Sequence, residues 1–369
     1  MKKILIVLAS VIVLITVGLL SFKSYNMNLP KQRIKKIQKL GVVEKQVTLP
    51  DGSIINYGEN ASDKKALLLI HGQETTWEDY ANVLPYLVKR YRVFAIDCYG
   101  HGGSSKNPEK YPILKNGADI IWFIDNVVGE NVIISGHSSG GLLATWVAAN
   151  APDKIDGLLI EDAPFFTTEK GRAEKTFAYK GFQLMRDFFE SGEDSYTKYY
   201  IKNNYMKKYF NKGGEDIWKF LVVDPAMKYL EKNPGTIPRI WYYPEFTQLN
   251  NLYTLAANMQ DGNGEYDLRF GLMFYDFSWF EGFNQAETLQ AVKCPSVFLH
   301  VAKPKGSKSY YDDDGILMAA LDDKDAKRVH KLLPNNALIG NIEGSMHDIH
   351  HDRPDEFIRG LKALEDMMR

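Results

Sequence analysis

From Ile4 to Leu20 the chain is apolar except at Ser10, Thr16 and Gly18, and Lys2 and Lys3 precede the run. An apolar stretch of about 17–20 residues is long enough to cross a bilayer core as a helix. The residues after it, Ser-Phe-Lys-Ser-Tyr-Asn-Met-Asn, contain no Ala-x-Ala cleavage site and no lipid-accepting cysteine. Residues 1–27 are therefore expected to be an uncleaved signal anchor, a single-pass transmembrane segment. Secretion after signal cleavage is the alternative. Lys2 and Lys3 favour a cytoplasmic N-terminus, whereas Lys23, Lys31, Arg33, Lys35, Lys36 and Lys39 pull the other way. The layout favours a cell-membrane protein whose globular part is extracytoplasmic. Residues 28–41 are polar and basic, and read as a linker or as a surface helix beside the membrane.

Beyond residue 41 the pattern changes period. Val42–Leu49 and Ile54–Gly58 flank the turn signal Pro50-Asp51-Gly52-Ser53 and predict an antiparallel hairpin. Short, fully apolar runs follow at Ala66–Ile70, Arg92–Ile96, Val132–Ile134 and Gly157–Ile160, as expected of strands covered on both faces. Helical spacing lies between them at Trp77–Lys89, Ile113–Val128 and Leu142–Ala149. The alternation resumes at Ser296–Val301 (strand), Asp322–Leu333 (helix), Ala337–Ile342 (strand) and Pro354–Met368 (helix). Such alternation requires crossover connections and a mostly parallel, doubly wound α/β sheet. Residues 165–285 break the rhythm and are rich in Tyr, Phe, Trp and Met. They read as a helical cap inserted into a core formed by 42–164 and 286–369.

Composition adds little to that picture and excludes some classes. The chain has 369 residues and a formal net charge of −1, which gives no electrostatic reason to expect nucleic acid as a partner. Cys98 follows one predicted strand and Cys294 precedes another, at opposite edges of a parallel sheet, so both read as free thiols.

The chemistry concentrates at Gly136-His137-Ser138-Ser139-Gly140, a G-x-S-x-G turn between a buried strand and a helix. A serine there sits on a tight, strained turn, and the two glycines remove side chains that would collide. The helix N-terminus and the Ser139 amide face any oxyanion that develops. Three further motifs follow in order: His71-Gly72-Gln73 after the first parallel strand, Asp97-Cys98-Tyr99-Gly100-His101-Gly102-Gly103-Ser104 after the next, and Gly344-Ser345-Met346-His347 before the last helix. With these motifs the chain resembles the α/β-hydrolase fold family over about residues 42–164 and 286–369. The resemblance implies a Ser138 nucleophile, an oxyanion hole from the Gln73 and Ser139 amides, and His347 as base. His101 is expected to hold its own loop, and His350 and His351 to pack or cap. A metal shared by this histidine cluster is not expected, because so short a loop cannot converge on one ion with good geometry.

The acid is the least determined member. After Ser296–Val301 the usual position falls at Lys303-Pro304, so the expectation moves to Asp314, with Asp312 and Asp313 beside it. Asp162, with Glu161, at the end of Gly157–Ile160 is the alternative. The expected function is hydrolysis of a carboxylic ester with an apolar acyl or alcohol group, through an acyl-enzyme on Ser138 and without cofactor or metal. The alternatives are amidase, peptidase or acyltransferase chemistry on the same fold, and a membrane-anchored binding protein with a dead hydrolase site. The expected partners are a small-molecule ester and the membrane.

Overall fold

The computed structural model describes residues 2–369; Met1, the first residue of the expected anchor, and the side chain of Lys2 lie outside the described residues. The apolar runs form one sheet of eight strands: β1 (Val42–Thr48), β2 (Ile54–Asn60), β3 (Ala66–Ile70), β4 (Arg92–Ile96), β5 (Val132–His137), β6 (Ile155–Glu161), β7 (Ser296–Val301) and β8 (Asn336–Ile342). Their spatial order is β1-β2-β4-β3-β5-β6-β7-β8. β1 pairs with β2, and β2 with β4, antiparallel; every later pairing is parallel. The sheet is thus mixed, with the expected hairpin on one edge of a parallel centre.

Among the described residues fourteen α-helices accompany the sheet: α1 (Lys2–Lys39), α2 (Leu84–Leu87), α3 (Ile113–Phe123), α4 (Ser139–Asn150), α5 (Phe177–Ser191), α6 (Tyr196–Asn203), α7 (Lys207–Phe210), α8 (Asp224–Lys232), α9 (Leu249–Thr254), α10 (Leu268–Tyr275), α11 (Gln285–Ala291), α12 (Asp323–Leu332), α13 (Ile349–Asp352) and α14 (Pro354–Met367). Strand alternation sends side chains to two layers. Leu68, Ile70, Phe94, Ile134 and Phe298 pack with Ile120 and Phe123 of α3 and Leu142 of α4. Leu67, Leu69, Val93, Ile133 and Leu299 pack on the other face with Phe357, Leu361 and Leu364 of α14.

The chain between β6 and β7 is helical, carrying α5 to α11. Many of its aromatics fill its own interior: Trp218, Trp279, Tyr196 and Tyr253 are all fully buried. The expected helix Trp77–Lys89 is instead a 3₁₀ turn, Trp77–Asn82, followed by the single turn of α2. Pro85 lacks the amide a continuous helix needs and clashes with the carbonyl four residues back. Ile113–Val128 is α3 continued by one wider turn at Ile124–Val128.

α1 runs without interruption from the apolar stretch through residues 28–39, so the surface-helix alternative describes that stretch. Its apolar residues, Ile4 through Leu20 among them, are exposed, whereas Ile37 is buried against the core. One apolar helix near the N-terminus has the length and composition to cross a membrane.

Helix α3 approaches α4 closely because Gly117 has no side chain: a Cβ there would meet the Trp146 ring at 2.2 Å. Gly117→Ala gains about 1 kcal/mol of helix propensity but forces the ring aside, at a cost of roughly 1–3 kcal/mol. The expected outcome is a net loss of stability, read as a lower Tm in detergent solution. An unchanged or higher Tm refutes this account of the α3–α4 contact.

Candidate active site

β5 ends and α4 begins at Ser138, whose backbone has φ 54° and ψ −125°. Non-glycine residues rarely adopt such values, and the strain is held by the surroundings. The Ser138 amide donates to Glu161 O at 2.9 Å, tying the turn to β6. A Cβ on Gly136 would meet Gly140 O at 2.1 Å, and one on Gly140 would meet His71 O at 2.3 Å. Both glycines of the motif are therefore required by contact with backbone atoms that cannot move aside.

The loop after β3 passes directly beside this turn. A Cβ on Gly72 would stand 3.0 Å from Ser138 Cβ and 2.9 Å from His137 Nδ1. Gln73 follows, and its Oε1 accepts a hydrogen bond from Tyr266 OH, 3.0 Å away in the helical insertion. His71 is buried, and burial, countered in part by Asp97, lowers its pKa. Its Nε2 accepts from the Cys98 amide at 3.0 Å. The next motif is held by Asp97, which accepts from the amides of Trp77 (2.7 Å) and Gly103 (2.9 Å). His101 is buried against Tyr266 and Phe270, its pKa depressed by burial, and its Nδ1 donates to Tyr99 O at 3.1 Å. Its surroundings are those of a loop-holding residue. Cys98 and Cys294 are both buried free thiols.

His347 lies in the loop between β8 and α13, with its ring centroid 4.5 Å from that of His137. Its Nδ1–H donates to Asp162 Oδ2 at 2.9 Å. Burial opposes protonation of His347, but the hydrogen bond and charge of Asp162, with Asp348 and Glu161 behind, outweigh it and lift its pKa to about 8. Asp162 itself is fully buried and has φ 41°. Burial pushes its pKa up; hydrogen bonds from His300 and His347 more than offset this and hold it below the usual carboxylate range. Its Oδ1 faces His300 Nδ1 at 3.2 Å.

Asp314, the acid expected from sequence, does not meet His347. Its side chain is 69% exposed and its Oδ2 lies 2.6 Å from Lys208 Nζ. Asp312 pairs with the same lysine, and Asp313 stands near Lys212. The physical reason is direction: after β7 the chain runs outward to the helical insertion, so this acidic tripeptide faces the lysines around α7. The carboxylate that reaches the histidine comes from the end of β6.

Sequence reasoning gave His350 only a packing or capping role, and the structure gives it more. The ring is fully buried and stacked 4.4 Å from Tyr80. Its Nδ1 faces the Glu161 carboxylate at 2.8 Å, its backbone amide donates to the same group at 2.7 Å, and its Nε2 lies 3.1 Å from Asp79 Oδ2. Burial works against its charged form, but Glu161 and Asp79 raise its pKa well above the usual histidine range. His351 is part-exposed beside Asp352. Ligand atoms of Asp79, His137 and His350 lie within 4.8 Å of one another, as do those of His137, His347 and Asp348. Within these sets His137 Nε2 lies 3.0 Å from Asp348 Oδ1 and His350 Nε2 lies 3.1 Å from Asp79 Oδ2.

Glu74 was not singled out by any motif. It follows Gln73 with φ 61°, is half-buried, and burial pushes its pKa up to about 7. Tyr196, Tyr200 and Tyr266 of the helical insertion all feel its charge. Only a glutamate after His-Gly-Gln marked it in the sequence, and that is a weak signal.

Comparison with known proteins agrees with the fold. The alpha/beta hydrolase fold family matches residues 65–205. The 3-oxoadipate enol-lactonase 2 of Acinetobacter baylyi is 27% identical over 107 residues, 29% of this chain and 40% of that protein. The 1-acylglycerol-3-phosphate O-acyltransferase of Arabidopsis thaliana is 27% identical over 164 residues, 38% of this chain and 39% of that protein. The chain thus matches about two fifths of the length of these curated relatives. Among solved structures, a bacterial membrane phospholipase A superposes with a TM-score of 0.58 at 21% identity, covering 100% of this chain and 99% of that one. An esterase from Exiguobacterium antarcticum superposes with a TM-score of 0.57 at 16% identity, covering 87% and 98%. With the sheet order, the strained serine turn and these matches in agreement, the chain has the α/β-hydrolase fold, and its residues 65–205 match the family of that name.

Proposed function

We propose that this protein is a membrane-anchored serine hydrolase that cleaves a carboxylic ester through an acyl-enzyme on Ser138. The observation that carries the proposal is the 2.9 Å contact between His347 and Asp162, next to a serine held in a strained turn. His347 takes the Ser138 proton as the oxygen attacks the ester carbonyl, and returns it to the departing alcohol. The backbone amides of Gln73 and Ser139 receive the oxyanion, helped by the N-terminus of α4. Asp162 fixes the His347 tautomer and stabilises the imidazolium, and water then releases the acid. The names of the enol-lactonase, the esterase and the membrane phospholipase all describe ester chemistry, which supports an ester over an amide. The apolar helix, with its exposed surface at Ile4–Leu20, supports the anchor.

Ser138→Ala is expected to abolish fluorophosphonate labelling and turnover of p-nitrophenyl butyrate while leaving circular dichroism and Tm unchanged. Turnover retained by the folded variant refutes the assignment, and a native chain that never labels points to a dead site.

The acid is tested by two isosteric changes. Asp162→Asn is expected to lower kcat by about 10²-fold or more with KM nearly unchanged, because the imidazole loses its orientation and its charge partner. Asp314→Asn, which leaves Lys208 paired with Asp312, stays within about threefold of wild type, as expected for an exposed pair. The reverse result restores Asp314 as the acid.

The base must be neutral to accept the proton, so the pKa of about 8 predicts the sign of the pH dependence. kcat/KM rises with pH and levels off above about 8, falling roughly tenfold per unit on the acid side. Asp162→Asn removes the contact that raises the pKa, so its residual activity should level off at lower pH. A profile flat from pH 6 to about 9 contradicts His347 as the titrating base.

A further inference from the structure

Pro30 lies inside α1 and has no amide to give the carbonyl four residues back, which is that of Asn26. The orphaned Asn26 oxygen accepts instead from Arg239 Nε at 2.7 Å, and Arg239 Nη2 reaches Asn26 Oδ1 at 3.1 Å. Asn26 Nδ2 donates to the carbonyls of Trp241 and Tyr243, both at 2.8 Å. Asn26 is 1% exposed. A loop of the helical insertion is thereby bolted to one position on the anchor helix by four hydrogen bonds, two of them from a guanidinium.

That position fixes a depth. At about 1.5 Å per residue, some 20 residues cross the hydrocarbon core. Counted from the start of the apolar run, the core ends near Lys23, and Asn26 stands within one further turn, among the headgroups. The loop bolted there carries two exposed aromatics, Tyr242 (49%) and Phe246 (84%). Tyr243 OH donates to Leu221 O at 2.7 Å and so holds a third, Phe220 (70% exposed), to the same edge. Tyr25 on α1 is also exposed, and so are Lys23, Lys31, Lys35 and Lys36 around it. Exposed aromatics at headgroup depth, with basic residues beside them, are the composition that partitions into an anionic bilayer interface.

We propose that the edge formed by Phe220, Tyr242 and Phe246 is a lipid-docking surface, held in the bilayer interface by the Asn26–Arg239 bolt, so that the helical insertion meets a membrane-resident ester. This rests on the anchor and hydrolase readings above and adds to them the orientation of the enzyme and the physical state of its substrate. The site need not wait for a monomeric ester in water, because its cover stands in the lipid that holds one.

Both native thiols are buried, so Phe246→Cys takes an environment-sensitive maleimide dye selectively. The full-length labelled chain is reconstituted into vesicles of phosphatidylethanolamine and phosphatidylglycerol. The expected result is blue-shifted emission that is quenched by spin-labelled lipids carrying the label near the headgroup. Adding Asn26→Ala and Arg239→Ala to the labelled chain should lower that quenching while the chain still resists carbonate extraction. The Tyr242→Ser, Phe246→Ser double variant should hydrolyse p-nitrophenyl butyrate within about twofold of wild type, but a fluorogenic phospholipid in vesicles about fivefold or more slowly. Water-like emission that ignores the spin-labelled lipids overturns the docking surface, and so does equal activity of the double variant on both substrates. A chain that carbonate strips from the vesicles overturns it together with the anchor. Fluorophosphonate labelling of Ser138 in the same samples reports separately on the hydrolase reading.

Discussion

Glu161 and Asp162 are consecutive and fully buried, and each is bound to a histidine of one short segment: Glu161 to His350, Asp162 to His347. Along a regular strand two neighbours point to opposite faces. They serve one segment here because β6 ends at Glu161 and Asp162 turns to φ 41°. Two carboxylates taken out of water need partners, and removing one partner of such a pair typically costs about 3–5 kcal/mol. The segment carrying the histidines is therefore held by the sheet itself. The Ser138 amide donates to the carbonyl of the same Glu161, so Ser138, His347 and Asp162 are all referred to one strand end.

This arrangement explains what was legible in the sequence and what was not. The strands announced themselves as apolar runs, and the serine turn, the Asp97 turn and His347 announced themselves as motifs, because each depends on local geometry. Which carboxylate meets His347 depends on the path of the chain beyond β7, and no local pattern records it. Asp314 had the right residue type at a plausible distance along the chain, yet its segment leans on the helical insertion and its charge is taken by Lys208. The helix expected at Trp77–Lys89 failed for a local reason that was visible, Pro85, against an apolar spacing that looked continuous. The role of His350 lay in a partner 189 residues away and could not be read from its neighbours.

The aromatic insertion shows a different limit. Its Tyr, Phe and Trp content suggested a pocket for an apolar group, but many of these side chains fill the insertion's own interior. What touches the site is more specific: Tyr266 bonds the Gln73 side chain, and Tyr196 and Tyr200 surround Glu74 electrostatically. The Glu74 carboxylate, in the loop after β3, gives the helical insertion a polar neighbour that composition alone would have hidden.

α1 is more than a tether. Beyond Asn26 it continues along the globular part, where an Arg33 guanidinium donates to Asp79 O at 2.9 Å and Ile37 packs into the core face shared with α14. Asp79 in turn faces His350, whose other ring nitrogen faces Glu161. A continuous line of contacts thus joins α1 to the segment that carries His347. Each link is short and most are buried, so the orientation of the helix and the geometry of the histidine segment are set by the same packing.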